Sequence, residues 1–116
     1  MSAPTPRVPH TERQPRCGEG ALEVLATGPL ATVQDLGRPG CTHIGVGLSG
    51  AADRGALALG NRLVANPPGA AGIEVTFGGL ALRTRHEVLV AVTGAPCAVT
   101  VDGRDAAANA VAKVSC

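Results

Sequence analysis

The sequence has no tryptophan and no tyrosine, and Phe77 is its one aromatic residue. Base stacking on single-stranded nucleic acid needs aromatic platforms, so that function class is disfavoured at once. A core must then be assembled from Val, Leu, Ile and Ala, which bury less area per side chain than an aromatic ring. The expected folding margin is thin. An excess of charge is also missing: the net charge is +1, which gives no electrostatic case for nucleic acid or an anionic membrane surface. Apolar runs are short. Residues 88–92 form one of the longest and fall far below bilayer thickness. The four cysteines, Cys17, Cys41, Cys97 and Cys116, are widely spaced, with no C-x-x-C and no His/Cys pairing at metal-ligand spacing. No apolar secretory segment opens the chain, so a cytoplasmic protein with reduced thiols is expected. Phosphate-cradling loops, dinucleotide fingerprints, the nucleophile elbow and the H-E-x-x-H zinc pattern are all missing. So are internal repeats.

What the sequence does contain is a series of short extended segments around one helix. At 116 residues it supports a single domain. Residues 1–19 bear Pro, Arg and Ser/Thr with little apolar periodicity and read as a disordered extension containing His10 and Cys17. Residues 21–25 read as a first strand ended by Gly28-Pro29, and residues 31–35 as a second. Residues 41–48 are irregular and glycine-bearing, and a loop of that length in a compact domain is uncommon unless functional. Residues 53–65 carry Ala56, Leu57, Gly60, Leu63 and Val64 at helical spacing, and Asn66-Pro67-Pro68-Gly69 stops the helix. Strands are expected at 73–77, 80–84, 87–92 and 97–101, the third of these suited to burial on both faces. Gly78-Gly79 and Asp102-Gly103 read as hairpin turns. Residues 104–116 are Ala-rich with weak strand character, so the second hairpin is expected to lack its returning strand. That would leave an open edge at 99–101 that invites self-association.

The chemistry concentrates in Thr32-Val33-Gln34-Asp35-Leu36-Gly37-Arg38-Pro39-Gly40. There an alternating strand runs into a forced turn that carries an amide, a carboxylate and a guanidinium. Gln34, Asp35 and Arg38 either orient a carbonyl or carboxylate substrate, for which a planar guanidinium fork is suited, or satisfy the backbone of their own turn. His43, in the loop, is a candidate general base or a loop residue bonded to backbone. Ser49 is a candidate nucleophile or a helix cap. Asp53 and Arg54 open the helix, where an Asp suits the dipole and the free N–H groups can hold an anion. Asn61 lies off the apolar stripe, placed to hydrogen-bond a neighbouring strand. Glu74 sits among apolar strand residues and must be paired or solvent-facing. His86 is a solvated turn residue. The turn at Ser49-Gly50-Ala51-Ala52-Asp53 is expected to face the turn after Gln34.

These residues, taken in order, resemble the biotin-dependent carboxyltransferase family, also described as the C subunit of 5-oxoprolinase or allophanate hydrolase subunit 2. The resemblance is carried by Leu22-Glu23-Val24-Leu25, Gly28-Pro29-Leu30 and the string from Thr32 to Gly40. It continues through His43-Ile44-Gly45-Val46, Ser49-Gly50-Ala51 with Asp53, Asn61-Arg62-Leu63-Val64 with Asn66-Pro67, Glu74-Val75-Thr76 with Gly78-Gly79, and Thr93-Gly94-Ala95. It covers residues 20–104 and fades after Gly103-Arg104, so residues 105–116 are expected to be an atypical tail. Cys41 stands where an aromatic is usual, and Ala65 where the family often has Gly. The resemblance implies a β-rich α+β fold, a partial cyclophilin-like β-barrel with one helix, truncated at its C-terminal side. It implies ATP-dependent opening of 5-oxo-L-proline to L-glutamate with partner 5-oxoprolinase subunits B and A, the chain being an N-terminal portion inactive alone. Related domains instead transfer a carboxyl group from carboxybiotin to urea, so biotin enters only in that alternative. A third possibility is a non-catalytic binding module that antagonises a kinase inhibitor. Catalytic candidates are Gln34, Asp35, Arg38 and His43; substrate-binding candidates are Ser49, Asp53, Arg54, Asn61 and Glu74.

Overall fold

Residues 22–115 are described by a computed structural model of the chain. The expectation of disorder at residues 1–19, with His10 and Cys17, lies outside them, as does Cys116. Along the chain come β1 (Leu22–Thr27), β2 (Leu30–Gln34), a 3-10 turn (Thr42–Ile44), α1 (Arg54–Leu63), β3 (Gly72–Thr76), β4 (Leu80–Thr84), β5 (Val88–Ala91), β6 (Val99–Val101), β7 (Arg104–Ala106) and β8 (Val111–Val114). The β-rich character and the single α-helix among the described residues agree with expectation. The barrel does not: the strands form four antiparallel pairs, β1–β4, β2–β3, β5–β8 and β6–β7, with no closure. No helix of the described residues is long and apolar enough to cross a membrane.

The first four strands form two bent arms lying side by side. Thr27 stands opposite Leu80 and Leu30 opposite Thr76, so β1 and β2 run as one arm against β4 and β3. Gly78-Gly79 is therefore a corner, not the hairpin its composition suggested. Both arms kink at the same place, where Gly28 (φ +65°) lies so close to the Gly78 carbonyl that a Cβ on it would overlap that oxygen. Phe77 precedes the corner with φ +65° and a 90% exposed side chain.

The second correction concerns the end of the chain. Asp102 and Gly103 take positive φ values (51° and 73°), as a tight primed hairpin turn requires. β7 then returns: Val99 pairs with Ala106 and Val101 with Arg104. β8 follows and pairs with β5, Val88 opposite Val114 and Ala91 opposite Val111. The edge at 99–101 expected to lack a partner has one, although each strand of these two-stranded pairs keeps one open side. Nor is β5 buried on both faces: Leu89 is 55% exposed, between half-buried Val88 and Val90.

The pair β2–β3 sets the polarity of the molecule. Directly opposed residues share a face. Val33 with Ile73 and Ala31 with Val75 lie on one side, where Val33 is 74% exposed. Thr32 with Glu74 and Gln34 with Gly72 lie on the other, and all four are half-buried. A Cβ on Gly72 would meet the Leu57 side chain of α1 at 3.0 Å, so it is the polar face that points toward the helix. The usual arrangement of apolar inside and polar outside is inverted here.

Helix α1 is placed by its ends. The Asp53 carboxylate accepts from the Ala56 N–H at 2.8 Å, the cap expected of one of two candidates. Along its length, Thr93 Oγ1 donates to the Ala56 carbonyl at 2.7 Å. Asn61 is buried, and its Nδ2 donates to the carbonyls of Pro68 (3.1 Å) and Ala70 (2.8 Å). Its partners are thus in the loop that follows the helix, not in a neighbouring strand. Asn61→Ala leaves those two carbonyls without that donor and is expected to cost about 2 kcal/mol, read as a lower urea midpoint at unchanged slope.

Candidate functional site

The two turns do face each other, and glycine is the reason they can. After β2 the Asp35 carboxylate accepts from the Gly37 N–H at 2.7 Å, folding the chain into an Asx-type turn. Arg38 N–H then donates to the Leu48 carbonyl (2.7 Å), and Ala51 N–H to the Asp35 carbonyl (2.8 Å). These two bonds clamp residues 35–38 onto residues 48–51. A Cβ on Gly37 would overlap the carbonyl oxygens of Leu48 and Ser49, and one on Gly50 would lie 2.6 Å from Gly37 N. Backbone therefore packs on backbone, with both glycines at positive φ.

The polar side chains sort themselves within this frame. Asp35 and Arg38, weighed together from the sequence, do not pair with each other: Asp35 serves the Gly37 N–H, while Arg38 Nη2 donates to Ser49 Oγ at 3.2 Å. Arg54 Nη2 donates to the Ser49 carbonyl at 3.0 Å. Ser49 itself has φ +49°, an uncommon conformation for a residue with a side chain. Glu74 crosses from β3 to accept from the Ala52 N–H at 2.7 Å, which ties the β2–β3 pair to the entrance of α1. Gln34 Nε2 donates to Thr32 Oγ1 at 3.2 Å on the helix-facing side. So Gln34, Asp35, Arg38, Ser49, Asp53, Arg54 and Glu74 belong to one connected region. Ser49 does not cap the helix; it receives two guanidinium groups.

Asn61 stands apart from this region, bonded to the loop after α1. His43 is exposed on the 3-10 turn, and its side chain has no hydrogen-bond or ion-pair partner among the described residues. His86 is an exposed turn residue. Cys41 and Cys97 are free thiols. An open depression lined by Leu25, Leu82, Thr84, Asp102 and Val114, among others, shares no residue with the two turns. The interaction that sequence reasoning missed is Glu74 to Ala52. Its signal was a lone carboxylate in an apolar strand, which had to find a donor.

An inverted strand pair, a helix seated on its polar face and two glycine-locked turns define a β-rich scaffold that presents polar groups from one wall. Residues 44–115 match the family model described as carboxyltransferase domain, subdomain A and B, and the chain belongs to that family. The match includes residues 105–115, expected to lie beyond the resemblance, which in part pair in β7 and β8. Ser49, Asp53, Arg54, Asn61 and Glu74 fall inside the matched residues; Gln34, Asp35, Arg38 and His43 precede them. Among curated proteins, the chain is 39% identical over 74 residues to the 5-oxoprolinase C subunit of Haemophilus influenzae, covering 64% of this chain and 24% of that protein. It is 37% identical over 81 residues to the 5-oxoprolinase C subunit of Escherichia coli, covering 70% and 26%. It is also 36% identical over 86 residues to urea amidolyase of Saccharomyces cerevisiae, covering 73% and 5%. The chain thus spans about a quarter of the length of the 5-oxoprolinase subunits it matches.

Proposed function

We propose that this chain supplies one substrate-side wall of a carboxyltransferase domain like that of the 5-oxoprolinase C subunit, in an assembly that opens 5-oxo-L-proline to L-glutamate with ATP. The observation that carries the reading is the convergence of Arg38, Ser49 and Arg54 at the facing turns of a chain 39% identical to a 5-oxoprolinase C subunit. Polar groups fixed in advance around a cyclic amide suit the stabilisation of charge developing at its carbonyl. Asp35 and Glu74, bonded to backbone N–H groups, keep the wall in shape in this reading. His43, on the adjoining loop, is the candidate for proton transfer. In this reading ATP is used together with the partner subunits B and A.

A second reading, carboxyl transfer to urea with biotin, is supported by the identity to urea amidolyase. The two readings differ in substrate and are separable by grafting. Residues 22–115 replace the equivalent segment of the H. influenzae C subunit, and the chimera is assayed with its partner subunits. ATP-dependent glutamate release from 5-oxoproline is expected. An assembled chimera that consumes ATP only when urea is added contradicts the proposal.

A further inference from the structure

We propose that Arg38 and Arg54 form a two-guanidinium clamp, seated on Ser49, for the carboxylate of a small substrate. Arg38 approaches Ser49 through Oγ and Arg54 through the main-chain carbonyl, at 3.2 and 3.0 Å, so one residue gathers both cations. Both cations thus converge on one exposed residue, and among the described residues neither is drawn off by a direct ion pair. The nearby carboxylates are engaged elsewhere, Asp35 with Gly37 N–H, Asp53 with Ala56 N–H and Glu74 with Ala52 N–H.

Arg54 adds a second anomaly. It opens α1, at the positive end of the helix dipole, and the first turn holds no acidic residue. A cation is disfavoured at that place. The one carboxylate at that end, Asp53, is the helix cap and is bonded to Ala56 N–H rather than to Arg54. The backbone beneath is held at an uncommon conformation, Ser49 at φ +49°, by the Arg38 N–H to Leu48 and Ala51 N–H to Asp35 bonds on either side. Each guanidinium makes one hydrogen bond here, to a neutral acceptor. Several planar N–H donors remain on each, the arrangement that takes a carboxylate bidentately. A carboxylate reaching both exchanges neutral acceptors for charged ones.

The clamp deepens the proposed function and rests on it for the identity of the substrate. 5-Oxoproline carries a carboxylate beside its lactam; urea carries none. Binding to the 116-residue chain is read by saturation-transfer NMR from the ligand side, with 5-oxoproline and its neutral carboxamide as probes. The clamp predicts transfer to 5-oxoproline, affinity at least about tenfold lower for the carboxamide, and loss of transfer in Arg38→Gln and Arg54→Gln. Arg62→Gln, on the exposed face of α1, retains it. Circular dichroism matched to the parent chain shows that the variants are folded, and Arg38→Lys, which keeps the charge without the fork, is expected to fall between. No transfer from the parent chain, equal binding of the carboxamide, or undiminished binding by both glutamine variants overturns the clamp. If acetate competes as well as 5-oxoproline while both glutamine variants still lose binding, the clamp stands and the 5-oxoproline assignment falls.

Discussion

Gly37→Ala is expected to unfold the chain, whereas Gly40→Ala, three residues away, is expected to be tolerated. Both glycines have φ +83°, so both substitutions incur left-handed strain, about 1 kcal/mol or somewhat more. They differ in what the new methyl group meets. At Gly40 nothing lies within 4 Å; at Gly37 the carbonyl oxygens of Leu48 and Ser49 already occupy the space, with the Ser49 carbonyl carbon 2.9 Å away. The obstacle is backbone held by two hydrogen bonds, so it cannot swing aside as a side chain would. The turns must part, and with them the Arg38–Ser49 contact. A loss of about 4 kcal/mol or more is expected, a large part of a small domain's stability. Gly50→Ala should behave like Gly37→Ala, because its methyl group would lie 2.6 Å from Gly37 N. Urea midpoints of the three variants provide the check. Equal midpoints for Gly37→Ala and Gly40→Ala would show that the turns do not pack backbone on backbone.

The second large effect concerns association. Ala51 is the one hydrophobic side chain buried among the described residues, at 8% exposure, while Val33, Ile73 and Val75 line an exposed face of β2–β3. Burying a large aliphatic side chain is worth about 1.5–3 kcal/mol, and open strand edges add backbone donors and acceptors for a second copy to use. The 116-residue chain by itself is therefore expected to assemble with rising concentration, as seen by light scattering. Val33→Thr with Ile73→Thr, substitutions that keep β-branching and hence strand preference, should shift assembly to concentrations at least about tenfold higher. A monodisperse parent chain with a cooperative melt contradicts the prediction.

Local signals in the sequence identified the elements well. Apolar runs bounded by Gly28-Pro29 and Asn66-Pro67 placed β1, β2 and α1, and the density of polar residues after Val33 marked the region where the two turns meet. Partner choice was not legible. Gly78-Gly79 has the composition of a hairpin, but a corner shared with Gly28 needs the same positive φ, and only the long-range register tells the two apart. Residues 104–114 have low strand propensity, yet Val111 to Val114 alternate correctly opposite β5, and pairing overrides propensity. The site was half legible for a similar reason. That Arg38 would leave Asp35 for Ser49, and that Arg54 would join it, depends on side chains 11 and 5 residues distant meeting across the turns. The inversion of β2–β3 was hidden because strict alternation reveals two faces without saying which one meets the helix.

The central claim is that the two facing turns form a wall that recognises substrate. It is tested most directly in the H. influenzae chimera carrying Arg38→Gln, by separating KM from kcat. A substrate-recognising wall predicts a KM for 5-oxoproline raised about tenfold or more while the KM for ATP is unchanged. An Arg38→Gln chimera whose KM for 5-oxoproline equals that of the parent chimera would contradict it.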